Sequence, residues 1–306
     1  MVPQKLIVLR SLNMNIIGVE SVVGGSGGTS VVAEYAAALN DMGLRTIALD
    51  LNPENQLGLH FGLSLSESAG VSQIDQASSN ILDVLFESVD GYPFIPFGYV
   101  PEVEWPVAIE TLAERLSSLL KPILSTPDRV MVIDVSRSAF PLRDWVYRHA
   151  DVMLNVIQPE PRAMPALIRY SEHQRRLQVA ANCRSLVMFN AVAPHLDLSR
   201  DTLELLRSQI TADAQCPILI HRDQHIPEAF ASQKPVRSLT ASAQSNRDFD
   251  ALALWTVSYL NSDGFSADAE DALSGAKGSF PTAEGSSQKA EGSFPGAEGS
   301  NNGAIK

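Results

Sequence analysis

The stretch "ESVVGGSGGTSVVAEYAAALNDMG", residues 20–43, constrains the fold more than any other, because it sets four glycines between a β-branched strand and a helix-periodic segment. Gly24, Gly25, Gly27 and Gly28 tolerate positive φ and close approach to the backbone, so the N–H groups of the loop, that of Ser26 among them, can form a nest for an anion. The helix that follows turns its positive end toward the same point. Thr29 and Ser30 stand at that end, with Thr29 where a hydroxyl meets a loop-bound Mg2+. A ligand-free tight turn would use glycine as well. The position of the loop, after one strand and before a well-formed helix, favours phosphate binding.

Apolar segments recur around it at wide spacing: "NIIGV" (15–19), "RTIALD" (45–50), "RVMVID" (129–134), "DVMLNVI" (151–157), "SLVMFNAV" (185–192) and "PILIHRD" (217–223). Helix-like stretches lie between most of them, and "VVAEYAAALNDMG" ends at Gly43, a good helix stop. Strands alternating with helices predict an α/β domain, a doubly wound and mostly parallel sheet with helices on both faces. The segment 63–103 is less regular, and "YPFIPFGYVPEVEWP" (92–106) reads as one further strand with loops at either side. "NRDFDALALWTVSYL" (246–260) reads as a packed helix without the basic polar face of a membrane anchor. The domain therefore spans 14–260, after an N-terminal extension or misassigned start at 1–13. Residues 261–306, rich in Gly, Ser, Ala and Glu with GSFP at 278–281 and 292–295, read as a disordered solubilising tail, a docking motif being the alternative.

A net charge of −12 argues against a broad basic surface and against a specific nucleic-acid partner. No apolar run is long enough to span a membrane, and the N-terminus lacks the apolar core of a signal peptide. Cys183 and Cys216 are spaced neither as a redox pair nor as a metal knuckle, which predicts buried thiols in a reducing cytosol. His195, His221 and His225 form no recognisable ligand set.

"GGSGGTS" together with "DLNPEN" (50–55) resembles the deviant P-loop ATPases of the ParA/MinD class, whose pattern is roughly K-G-G-x-G-K-[ST] followed by D-x-D-P-x-x-N. Val23 replaces the first, signature lysine, Gly28 the second, and Asn52 the second aspartate, whereas Asp50 and Pro53 match and Asn55 stands one position before the asparagine of the pattern. "RVMVID" resembles the Walker B strand ending at Asp134, and Asn190 in "MFNAV" falls where the class places an adenine-contacting asparagine. "PFG" (96–98), Arg137 and "PILIHRDQHIPEAFASQKPV" (217–236) are similar to the BcsQ family of cellulose-synthase operon proteins, which also lack a standard loop lysine. The resemblance implies ATP or ADP with Mg2+ held by Gly24 to Ser30, Asp50, Asn52 and Asn190. Asp134, at the end of a buried strand beside the loop, suits indirect contact with the metal alongside Thr29, a helix-capping role being its alternative. Arg137 would supply a replacement charge if it turns toward the phosphates, and an ordinary solvated arginine is the favoured reading. It also implies a homodimer with nucleotide between the subunits, and a cytoplasmic protein that works with subunits of the cellulose synthase complex at the inner membrane.

A charge-assisted hydrogen bond contributes about 1.5–3 kcal/mol, so two missing lysines weaken binding or transition-state stabilisation by roughly two to four decades. Phosphoryl transfer depends on neutralising the transferred group, so catalysis suffers more than binding. A nucleotide-binding regulator with very slow or no hydrolysis is the favoured reading. A nucleotide-free pseudo-ATPase scaffold is the alternative, and an active partitioning-type ATPase is disfavoured.

Overall fold

Strand β1 (Asn15–Ser21) lies inside a parallel ladder, flanked by β5 (Arg129–Val135) and β6 (Val152–Ile157). A computed structural model describes residues 15–74, 80–126, 129–174, 177, 179 and 183–261. The extension at 1–13 and the GSFP tail from 262 lie outside the described residues. Among those residues the sheet has seven strands, with β2 at Arg45–Leu51, β3 at Phe86–Glu87, β4 at Pro93–Ile95 and β7 at Arg184–Phe189, in the order β3-β4-β2-β5-β1-β6-β7. The expected parallel, doubly wound sheet is thus present.

Alternation along the strands sends side chains to two separate cores. Ile17, Val19, Val130 and Val132 pack under helices α1 (Gly28–Asp41) and α8 (Gln244–Asn261). Ile16, Met131, Ile133 and Val135 pack under α2 (Trp105–Leu124) and α3 (Phe140–His149). α4 (Ala163–Gln174) and α5 (Asp197–Ser208) enclose a third, smaller cluster beside β7.

Two expectations need correction. The single strand expected in 92–106 is only β4 (Pro93–Ile95), paired antiparallel with a two-residue β3 (Phe86–Glu87), and α2 already begins at Trp105. Proline explains the brevity: Pro93 and Pro96 have no N–H to give to a ladder, and Pro106 sits in the first helical turn, where none is needed. The segment 217–223 is not a sheet strand. It touches the β7 edge through Ile220 N–H on the Phe189 carbonyl and an isolated bridge from Val192 to His221, because Pro217 interrupts any longer ladder.

Two buried ionisable groups give the fold opposing pH responses. Glu34 on α1 accepts the Val236 N–H at 2.9 Å, which starts α7 (Val236–Leu239), and burial pushes its carboxyl up from 4.5 to about 7. Burial pushes His60 down from 6.5 to about 4. The folded state holds a proton on Glu34 that the unfolded chain has lost, so this group stabilises less as pH rises from about 4.5 to 7. The unfolded chain protonates His60 where the folded state does not, so that group stabilises more as pH rises from about 4 to 6.5. Each slope is about 1.4 kcal/mol per pH unit, and the two oppose each other between about 4.5 and 6.5. Urea denaturation should therefore show Glu34→Gln gaining about 2 kcal/mol relative to the wild type between pH 5 and 6.5, and His60→Gln losing a similar amount. Parallel curves for the three proteins would refute the assignment.

Candidate functional site

The loop leaves β1 at Ser21 and turns through Gly25 (φ 80) and Gly27 (φ 85), both in the left-handed region that favours glycine, before α1 begins at Gly28. Among the described residues the N–H groups of Gly25, Gly27, Thr29 and Ser30 have no protein acceptor, whereas Ser26 N–H turns back to the Val23 carbonyl at 3.0 Å. The Gly28 N–H is already committed, donating to Ser21 Oγ at 3.1 Å. A Cβ at Gly28 would lie 2.5 Å from that same oxygen, so the glycine at the second lysine position is matched to Ser21. Val23, at the signature-lysine position, is half-buried and packs against the α4/α5 cluster of its own chain.

Thr29 Oγ1 donates to Asp134 Oδ2 at 2.7 Å, joining the start of α1 to the end of β5. Burial pushes the Asp134 carboxyl up to about 6, against the hydrogen bond from Thr29. Asp50 is its register partner on β2 and is fully buried; burial, and then the charge of Asp134, hold its carboxyl well above the usual range. Its oxygens accept the N–H groups of Asn52 at 2.8 Å and Leu57 at 3.1 Å, so Asp50 organises the 50–57 turn from beneath. The Asn52 side chain lies near enough to Asp134 to pull its carboxyl down against burial. Asn55, at φ 51, accepts the Gly98 N–H at 3.2 Å, which ties the second motif to "PFG".

A cavity of about 1050 Å3 opens over this centre. Gly24, Gly25, Gly27, Gly28, Thr29, Ser30, Asn52, Asp134, Arg137 and Asn190 line it, so the structure brings these expected residues together. Ser26 and Asp50 are buried behind the wall, not in it. Arg137 lines the cavity while its Nη1 donates to the Val22 carbonyl, which sets the guanidinium across the base of the loop. Asn190 donates Nδ2 to the Ser26 carbonyl at 2.8 Å, and its buried Oδ1 has no partner. His221 and His225 pair with Asp248 and Asp223 at 3.0 and 2.6 Å. The sequence reading overlooked Glu20, His60, Phe140, Arg143 and Tyr170. Glu20 was the available signal, since a carboxylate in a strand buried on both faces requires a partner elsewhere.

The loop geometry fits a magnesium nucleotide: N–H groups without a protein acceptor and the α1 dipole suit phosphate oxygens, the Thr29 hydroxyl and the Asp134 carboxylate suit a divalent cation, and the unpartnered Asn190 Oδ1 suits a donor such as an amino group. Comparison with known proteins agrees with the fold. A cell-division ATPase MinD from Pyrococcus furiosus superposes with TM-score 0.62 at 16% identity, covering 80% of this chain and 99% of that one. The MinD of Pyrococcus horikoshii, solved with Mg-ADP, superposes with TM-score 0.60 at 16% identity, covering 87% of this chain and 100% of that one. In sequence, the cellulose biosynthesis protein BcsQ of Salmonella typhi is 26% identical over 258 residues, 83% of this chain and 98% of the relative. That of Escherichia coli K12 is 25% identical over 263 residues, 85% of this chain and 100% of the relative. Residues 14–257 match the family model described as Cellulose biosynthesis protein BcsQ, and with the MinD/ParA fold around its loop the chain belongs to the BcsQ family.

Proposed function

We propose that this protein is a dimeric, cytoplasmic nucleotide-binding accessory of the cellulose synthase complex, recruited to the inner membrane by partner subunits and hydrolysing ATP very slowly or not at all. The observation that carries the reading is the Thr29 to Asp134 hydrogen bond at the mouth of a loop in which, among the described residues, the N–H groups of Gly25, Gly27, Thr29 and Ser30 have no protein acceptor. Bound Mg2+ would neutralise phosphate charge there. Thr29 and Asp134 would orient it, Gly25, Gly27, Thr29 and Ser30 would hold phosphate oxygens, and Asn190 would accept from the base. No lysine stands in the loop, so binding rests on neutral donors, the helix dipole and Arg137. Among the described residues no helix is long and apolar enough to cross a membrane.

Equilibrium binding of labelled ATP and ADP with Mg2+ tests the reading; saturable binding without appreciable turnover is expected. The commitment of Gly28 N–H to Ser21 favours a second reading, an empty scaffold, and no binding at millimolar ATP would establish it. Sedimentation adds a check on assembly. Because Val23 carries no charge to a neighbouring subunit, dimerisation should differ little between ATP and ADP, and a chain that stays monomeric with either would refute the dimer.

A further inference from the structure

The cavity extends past the loop to the sheet face opposite α1, where Phe140, Arg143, Arg169, Tyr170 and His173 form its wall. Beneath them Glu20, fully buried on β1, accepts Arg143 Nε at 2.9 Å and lies 2.8 Å from the Tyr147 hydroxyl. The absence of a side chain at Gly18 lets α3 approach the sheet and brings Arg143 and Tyr147 over Glu20, since a Cβ there would strike Met153 and Val146. The Arg143 side chain is only 4% exposed, yet among the described residues its two Nη groups have no hydrogen-bond acceptor. A buried guanidinium with open donors at a cavity wall is costly unless an anion completes it. Arg169 adds a second, exposed cation, and Phe140, 60% exposed, presents an apolar ring that stands 6.1 Å from the His173 ring.

We propose that this arm is a second anion subsite, separate from the nucleotide loop, that takes a small phosphomonoester bearing a flat apolar group. The phosphate meets the fork of Arg143 Nη groups with Arg169 at the rim, and the flat group lies on Phe140. Glu20 acts as a positioning residue: it holds Nε while the Tyr147 ring lies 5.5 Å beneath the guanidinium, which leaves the Nη edge for the ligand. Nothing in this assignment depends on whether the loop itself binds ATP.

Phenyl phosphate and inorganic phosphate are the probes, used in equilibrium dialysis against the full chain carrying Gly24→Asp, which places a repelling carboxylate on the loop. The expected result is one saturable site that binds phenyl phosphate more tightly than inorganic phosphate. Arg143→Gln should weaken both at least tenfold, and Phe140→Ala should weaken phenyl phosphate alone. If Arg143→Gln does not fold, the exposed Arg169→Ala decides, with an expected loss of at least threefold for both probes. Absence of binding in the Gly24→Asp protein would overturn the proposal, as would binding unchanged by either arginine substitution. Displacement of phenyl phosphate from the wild type by saturating Mg-ATP would assign the arm to the loop nucleotide and overturn it equally.

Discussion

Gly24→Asp should reduce nucleotide affinity at the loop at least a hundredfold while leaving the thermal midpoint nearly unchanged. Gly24 is exposed, its φ is not in the left-handed region, and a Cβ there meets nothing within 4 Å, so the fold accepts a side chain. The new carboxylate stands at the rim of the anion nest. At about 4 Å and an effective dielectric near 20, two like charges repel by about 4 kcal/mol, roughly a thousandfold in affinity. Arg162, whose Nη1 reaches the Gly24 carbonyl at 3.4 Å, offsets part of that repulsion. Gly27→Ala would be a poorer test: at φ 85, and with its Cβ 2.6 Å from Asn190 Nδ2, it disturbs backbone and cavity wall together. ATP binding that survives Gly24→Asp within a factor of three would remove the loop as the nucleotide site.

Restoring charge should raise ATP turnover by roughly two decades, but only when three positions change together. Gly28→Lys alone drives its Cβ against Ser21 Oγ, so Ser21→Ala must accompany it; the Ser21 Cβ, at 3.5 Å, is an ordinary contact. The same Ser21→Ala change releases the Gly28 N–H for phosphate. Asn52→Asp alone sets a third carboxylate beside the buried Asp50 and Asp134 and removes the amide that favours the Asp134 carboxylate, so it should destabilise the fold. With the introduced loop lysine and Mg2+ present, that carboxylate gains a counter-charge and a place near the attacking water. Single-turnover hydrolysis by the triple variant, compared with the wild type and with Gly28→Lys alone, is the measurement. A triple variant that binds ATP as tightly as the wild type but turns it over no faster would show that the loop lysine is not what catalysis lacks.

The strand–loop–helix unit, the wide spacing of the apolar segments and the packed final helix were legible because each rests on local chemistry. β-branched runs form strands, glycines free the loop backbone, and Gly43 at φ 88 stops α1 after its C-cap Met42. The edge of the sheet was less legible. Whether 217–223 pairs as a strand depends on how much of the β7 edge it can reach with Pro217 in its path, and that is a tertiary question.

By itself the sequence determined the fold class, the place of Asn52, Asp134, Arg137 and Asn190 beside the loop, and the loss of both lysines and of the second aspartate. Only the tertiary structure showed that Asp50 serves the turn beneath the cavity, that Gly28 is matched to Ser21, and that Arg137 is bound to the Val22 carbonyl. It alone joined Glu20 to Arg143, which are 123 positions apart in the chain. Backbone conformation and hydrophobic periodicity are properties of neighbouring residues, whereas the partner of a buried charge is chosen by which elements the sheet order places side by side.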